Sequence, residues 1–253
     1  KGGKVDKHAK LDTLLVSTLA VGGDGTLYAG GIASGKVFTV DAKGAVKELA
    51  TLEGDHVWAL VLDDKTRTLY AGTGASGKLF AIDLATSKSR LVYDFSDKHL
   101  LSLVRAEDGS LFVGSSEQAL VWRIWPGTKP LRVETVHDFE GDEVKAMYRA
   151  SGDKALYVAV NEFTKPTGGS TLPAPTTPKG GTKISAGGTA AVAPTATPAL
   201  VARDRKGKGA IYRIDDDGRT EQLLATADGY FTGLTAGPGP GVYATSGANG
   251  KVY

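Results

Sequence analysis

Cysteine is absent from the 253-residue chain. That excludes disulfides, zinc–thiolate centres and thiol nucleophiles. It is compatible with an oxidising compartment without demanding one. Histidine is scarce at 4 residues and methionine occurs once, which leaves few soft or imidazole ligands for a metal. No apolar run approaches the ~18 residues that a membrane helix needs. Tryptophan is limited to Trp58, Trp122 and Trp125. Charge of one sign is also missing, since Lys and Arg total 30 against 28 Asp and Glu, a net charge of +2. Even that small excess is local. Between Phe163 and Lys208 there are seven basic residues (Lys165, Lys179, Lys183, Arg203, Arg205, Lys206, Lys208) and one acid, Asp204, a balance of +6, so the remainder carries −4. The basic isoelectric point is therefore no nucleic-acid footprint, and no nucleic-acid partner is expected.

Glycine, by contrast, is abundant at 34 residues, and much of it recurs in phrases. "LYAGGIASGKVFTVD" spans Leu27–Asp41 and "LYAGTGASGKLFAID" spans Leu69–Asp83. The four-residue core returns as "LFVG" from Leu111, "LYVA" from Leu156 and "VYAT" from Val242, at spacings of 42, 42, 45 and 86. A second aromatic, at Phe38, Phe80 and Trp122, follows ten residues behind the first; in the fourth copy the gap from Tyr157 to Tyr212 is 55, which is 45 too long. Removing those 45 turns 86 into 41, and five copies then share one period. A third phrase precedes each copy, ending at Leu19, Leu60, Leu103, Met147 and Leu234, with a small residue (Thr18, Ala59, Ser102, Ala146, Gly233) just before it. Turn signals such as "GGDG" at 22–25, "EDG" at 107–109 and "SGD" at 151–153 separate β-rich runs. A more polar run, such as "AVKELAT" at 45–51 or "TEQLLAT" at 220–226, lies between copies.

Four short antiparallel strands per ~40–45 residues describe a propeller blade. The expected fold is an all-β propeller with five repeats, at about 1–41, 42–83, 84–125, 126–214 and 215–253. Strand A, innermost, needs the small residue; strands B and C carry the aromatic core; strand D is outermost and polar. The first and second copies share a phase in which the chain opens at a D strand, about residues 3–9, and stops inside a C strand. Two arrangements fit: part of a six- to eight-bladed ring, or a closed five-bladed ring in which 3–9 pairs with 250–253. The last C run is short, so an open last blade is the expectation. Residues 163–207 are rich in Pro, Thr, Ala and Gly without periodicity, and read as a disordered insertion in the B–C connection of the fourth repeat.

The phrases "GDHVWALVLDDKTRTLYAGTGASGKLFAID" and "KHLLSLVRAEDGSLFVGSS" resemble WD-like, quinoprotein-like repeats of bacterial propellers, loosely related to gluconolactonase- and streptogramin-lyase-like propellers. The resemblance implies an exported protein, periplasmic or extracellular, without implying one activity. The three tryptophans occupy non-equivalent places in the repeat, so a quinone cofactor is not expected.

Leu15, His56, His99, Glu143 and Tyr230 hold equivalent places just before strand A. His56, His99 and Glu143, on successive blades, form the one constellation with chemistry: two imidazoles and a carboxylate that could hold a divalent metal such as zinc, or act as catalytic groups at the channel mouth. The bland alternative is that each hydrogen-bonds the loop that delivers its strand. Tyr230, Trp58, Arg203, Arg205 and Lys206 are candidate partner-binding residues. "DDDG" at 215–218 reads as a turn and not as a calcium loop. No nucleophile elbow or phosphate loop is present. The leading expectation is a non-catalytic scaffold that binds a protein or other macromolecule through its loop face. The alternative is a metal-assisted lactonase- or lyase-like enzyme.

Overall fold

A computed structural model describes residues 7–149, 152, 154–163, 207–237, 241–247 and 250–253. Short β-rich runs punctuated by turn glycines give 18 strands and no helix among these residues. Blade 1 is β1 (Leu15–Val21), β2 (Leu27–Ile32), β3 (Lys36–Val40) and β4 (Val46–Thr51). Blade 2 is β5 (His56–Asp63), β6 (Thr68–Gly74), β7 (Lys78–Asp83) and β8 (Ser89–Asp94). Blade 3 is β9 (Leu100–Arg105), β10 (Leu111–Ser115), β11 (Leu120–Trp125) and β12 (Arg132–Asp138). Blade 4 is β13 (Glu143–Tyr148), β14 (Leu156–Phe163), β15 (Gly207–Ile214) and β16 (Thr220–Thr226). Blade 5 contributes β17 (Phe231–Ala236) and β18 (Val242–Ser246), with a single bridge from Thr245 to Val252. All pairs are antiparallel, and each complete blade is a meander.

The turns follow the sequence. Gly25, Gly109 and Gly152 close A–B turns with φ near +80°, a conformation that costs glycine nothing. "DDDG" is a C–D turn of the same kind: Gly218 has φ +84° and its amide donates to the Asp215 carbonyl. The "ASG" of the B–C loops places Ala33 and Gly35, then Ala75 and Gly77, at positive φ; Glu117 and Ala119 repeat the pattern without glycine.

The core is not one mass but a stack of layers between blades. Tyr28 and Val37 of blade 1 pack on Val57, Leu60, Leu69 and Phe80 of blade 2. Tyr70 and Leu79 pack on Leu100, Leu111 and Val113. Phe112 and Val121 pack on Val144, Met147, Leu156 and Val158. Ala159 and Ile211 pack on Phe231 and Ala244. Along each strand, one set of side chains therefore faces the preceding blade and the other set the following blade. This explains why B and C strands are mostly buried while D strands are mostly exposed.

Residues 7–10 carry no strand, and 1–6 lie outside the described residues, so the expected D strand at 3–9 is only partly covered. The covered part lies beside blade 1, where the Nε2 atom of His8 is 3.2 Å from the Asp41 carbonyl, and residues 7–9 make no ladder with 250–253. The expected insertion also lies outside the described residues except at its roots, Phe163 and Gly207, which are directly paired at the ends of β14 and β15.

Equivalent positions give a clean stability test. Leu60 is 8% exposed in a filled layer, whereas Leu19 is 60% exposed. Leu60→Ala should cost about 2–5 kcal/mol in urea unfolding. Leu19→Ala, measured at low protein concentration, should stay within about 0.5 kcal/mol.

Candidate functional site

The residue just before strand A sits at a seam between blades. Main-chain bridges join Ile32 to His56, Gly74 to His99 and Ser116 to Glu143. Each bridge joins the end of one blade's B strand to the start of the next blade's A strand. The first of them fuses blades 1 and 2 into one continuous sheet.

The two imidazoles serve these seams. His56 accepts the Ala33 amide on Nδ1 at 3.1 Å, and His99 accepts the Ala75 amide on Nδ1 at 3.2 Å. Ala33 and Ala75 are the positive-φ residues of the preceding B–C loops, so each histidine caps a strained corner. The Nε1–H of Trp58 also donates to Nδ1 of His99, at 3.2 Å. Trp58 stands edge-on between both rings, with centroids 5.1 Å from His56 and 5.9 Å from His99. Glu143 has a different duty: its carboxylate accepts from Asn161 Nδ2 at 2.9 Å. Asn161 is fully buried and also clamps the Phe231 main chain through its amide and carbonyl, at 2.8 and 2.9 Å.

This geometry gives His56, His99 and Glu143 hydrogen-bonding duties within the fold. Among the described residues no group of three or more His, Asp or Glu side chains converges as a metal requires. The hydrogen bonds give the reason. An Nδ1 that accepts an amide leaves the ring proton on Nε2, so neither nitrogen offers a free lone pair. The bland alternative, capping the incoming loop, is what the two histidines do.

Tyr230 lies at the root of the insertion, with its ring 5.7 Å from that of Phe163. Trp58 is half-buried on the same face. Arg203, Arg205 and Lys206 lie outside the described residues. Sequence reasoning missed Asn161, which pins blade 4 to blade 5. The repeat alignment places it level with Ile32, Gly74 and Ser116, and that substitution of an amide for small or apolar residues was its only signal.

A cleft of about 540 Å³ opens on the opposite face between blades 3 and 4, lined by Asp108, Phe112, Arg123, Arg149, Lys154 and Asp216 among others. Its charges are largely matched. Arg123 pairs with Asp108 at 2.9 Å and Lys154 with Asp216 at 3.2 Å. Burial pushes the Asp108 carboxyl up, but hydrogen bonds from Ser110 and Trp125 and the charge of Arg123 outweigh it and hold the group at about 2.

No protein-family model matches the chain, and no curated protein sequence matches it. Solved structures do. A chain of the nidogen/laminin complex superposes with a TM-score of 0.61 at 11% identity, covering 91% of this chain and 72% of that one. Hydrazine synthase of Kuenenia stuttgartiensis superposes with a TM-score of 0.64 at 16% identity, covering 97% of this chain and 59% of that one. The fold is that of a β-propeller. At these identities the likeness shows fold alone. The resemblance to exported bacterial repeat proteins thus stands as propeller architecture, with no sequence family assigned.

The propeller's seam has a pH signature. Burial, reinforced by the charges of Lys98 and His56, holds His99 below its usual pKa. The unfolded chain then binds more protons than the folded one just below pH 6.5. The contribution of His99 is complete above pH 6.5 and is lost as pH falls through the folded pKa. Urea unfolding should show stability declining from pH 7.5 to 5.5. His99→Asn, which keeps an acceptor near Nδ1 but cannot titrate, should flatten that slope.

Proposed function

We propose that the chain is a non-catalytic scaffold that binds a protein partner through the face carrying the B–C loops and the seam residues. The observation that carries this reading is the Trp58 cluster. A half-exposed tryptophan is held between two histidines whose Nδ1 atoms are committed to the backbone, on the same face as Tyr230 and the roots of the insertion. Aromatic side chains held rigidly at a surface lose little entropy on binding and favour interfaces. The same committed imidazoles are unsuited to act as base or ligand in a lactonase- or lyase-like reaction. The nidogen chain of similar fold occurs in a complex with laminin. A place outside the cytoplasm belongs to this reading through the resemblance to exported propellers.

The test is site-specific photocrosslinking in extracts of the source cell, with the probe at position 58 or 230 and, as control, at 217 on the opposite face. One protein should be captured from 58 and 230 and not from 217. Trp58→Ala should reduce capture at 230 at least tenfold while leaving the fold unchanged. Equal capture from both faces, or lactone hydrolysis that His56→Ala abolishes, would overturn the reading.

A further inference from the structure

The cleft between blades 3 and 4, on the face opposite the seam histidines, has an apolar floor and a charged rim. Ala106, Phe112, Leu156 and Ile214 line the floor and belong to the core layer between the two blades. Most rim charges pair off. Asp108 pairs with Arg123 at 2.9 Å and Asp216 with Lys154 at 3.2 Å. Glu134, Asp215 and Asp217 are held from outside the cleft by Arg132, Arg213 and Arg219, at 2.6, 2.8 and 3.0 Å. Two lining side chains stand outside this scheme. Among the described residues, neither Glu107 nor Arg149 has an ion-pair partner.

Each of these two is held by a bond to the main chain that leaves its charge uncancelled. Arg149 donates through Nη1 to the Lys154 carbonyl, and its guanidinium carbon lies 5.8 Å from the centre of the Phe112 ring. Glu107 accepts the Gly152 amide on Oε1 at 3.2 Å. The Nε–Nη2 edge of Arg149 and Oε2 of Glu107 make no hydrogen bond among the described residues. A guanidinium edge takes a carboxylate through two parallel hydrogen bonds, and a carboxylate accepts well from an ammonium. A simple anion in the cleft would meet Arg149 favourably and Glu107 unfavourably, and a simple cation the reverse. Only a ligand with both charges satisfies both groups. The volume of about 540 Å³ lies in the range of small-molecule sites. We infer that the cleft binds a small zwitterion with an apolar body, an amino acid or a short peptide with both termini free. Its carboxylate meets Arg149, its ammonium meets Glu107, and its apolar part covers Leu156 and Ile214.

The test is isothermal titration calorimetry on the full chain with L-leucine and L-leucyl-L-leucine, which differ in the spacing of their charges. At least one should bind saturably, and the tighter of the two decides between amino acid and peptide. On the wild type, the C-terminal amide and the N-acetyl form of that ligand should each bind about tenfold more weakly or worse, the value of a charge-assisted hydrogen bond. Arg149→Gln should erase the difference between acid and amide, and Glu107→Gln the difference between free and acetylated amine. Glutamine keeps a polar atom for each main-chain contact, and thermal unfolding checks that the variants fold; the blocked ligands test the wild type should either variant misfold. The inference is overturned if neither compound binds saturably, or if the blocked forms bind as tightly as the free one. It is overturned equally if each variant lowers affinity without regard to which terminus is blocked.

Discussion

Every layer of this molecule depends on how closely an A strand approaches the B strand before it. A Cβ on Gly30 would lie 2.6 Å from Thr18 Cγ2 and 2.8 Å from Val57 Cγ1. A Cβ on Gly114 would lie 2.4 Å from Ser102 Oγ and 2.5 Å from Val144 Cγ1, and one on Gly72 would lie 3.0 Å from Leu100 Cβ. The glycine of "LYAG" is therefore required by space and not by a turn. Where the fourth copy has Ala159 instead, the large partner Phe231 rests over Gly209, whose Cβ would lie 2.7 Å from its ring. Both partners at that seam are larger than in the other copies, Ala for Gly and Phe for Val or Leu, and the ring seats over a glycine of strand C.

Close approach brings polar groups within reach as well as apolar ones. Ser17 donates to the Val57 carbonyl, Ser102 to the Val144 carbonyl, and the Leu60 amide donates to Thr18 Oγ1. Each such bond is worth about 0.5–1.5 kcal/mol net, but leaving its buried partner unmade costs more. The small residue before the last leucine of strand A thus leaves room at the seam and, in two copies, supplies a hydrogen bond. Farther out, the seam is finished by the pre-A residue: an imidazole in two copies, and Glu143 with Asn161 in another. Chemistry at these positions varies because the requirement is only that an exposed loop amide or buried amide side chain be satisfied.

This also explains what was legible in the sequence. Period, strand order and turn positions could be read because each rests on a local rule: a short buried run for Leu69–Gly74, an Asp–Gly turn at 215–218, a small residue before Leu60. The polar runs "AVKELAT" and "TEQLLAT" emerge as outer strands because nothing covers their far side. The candidate site was half legible. Alignment of the repeats places His56, His99 and Glu143 at one structural position on successive blades, and the structure agrees. Their roles were not legible, because a ring nitrogen's partner is a backbone amide from a loop over 20 residues away, a contact that spacing does not encode.

The central claim is that stability resides in the layers between blades and is least at β1 and β17–β18, where Leu19, Val21 and Tyr243 are exposed. Native-state hydrogen exchange tests it most directly, strand by strand. Amides of β6, β10 and β14, which lie between filled layers, should be the most protected, with β1 and β17–β18 exchanging many-fold faster at a protein concentration where the chain is monomeric. Protection of β1 equal to that of β6 would contradict the account, because it would place the stabilising contacts within blades and not between them.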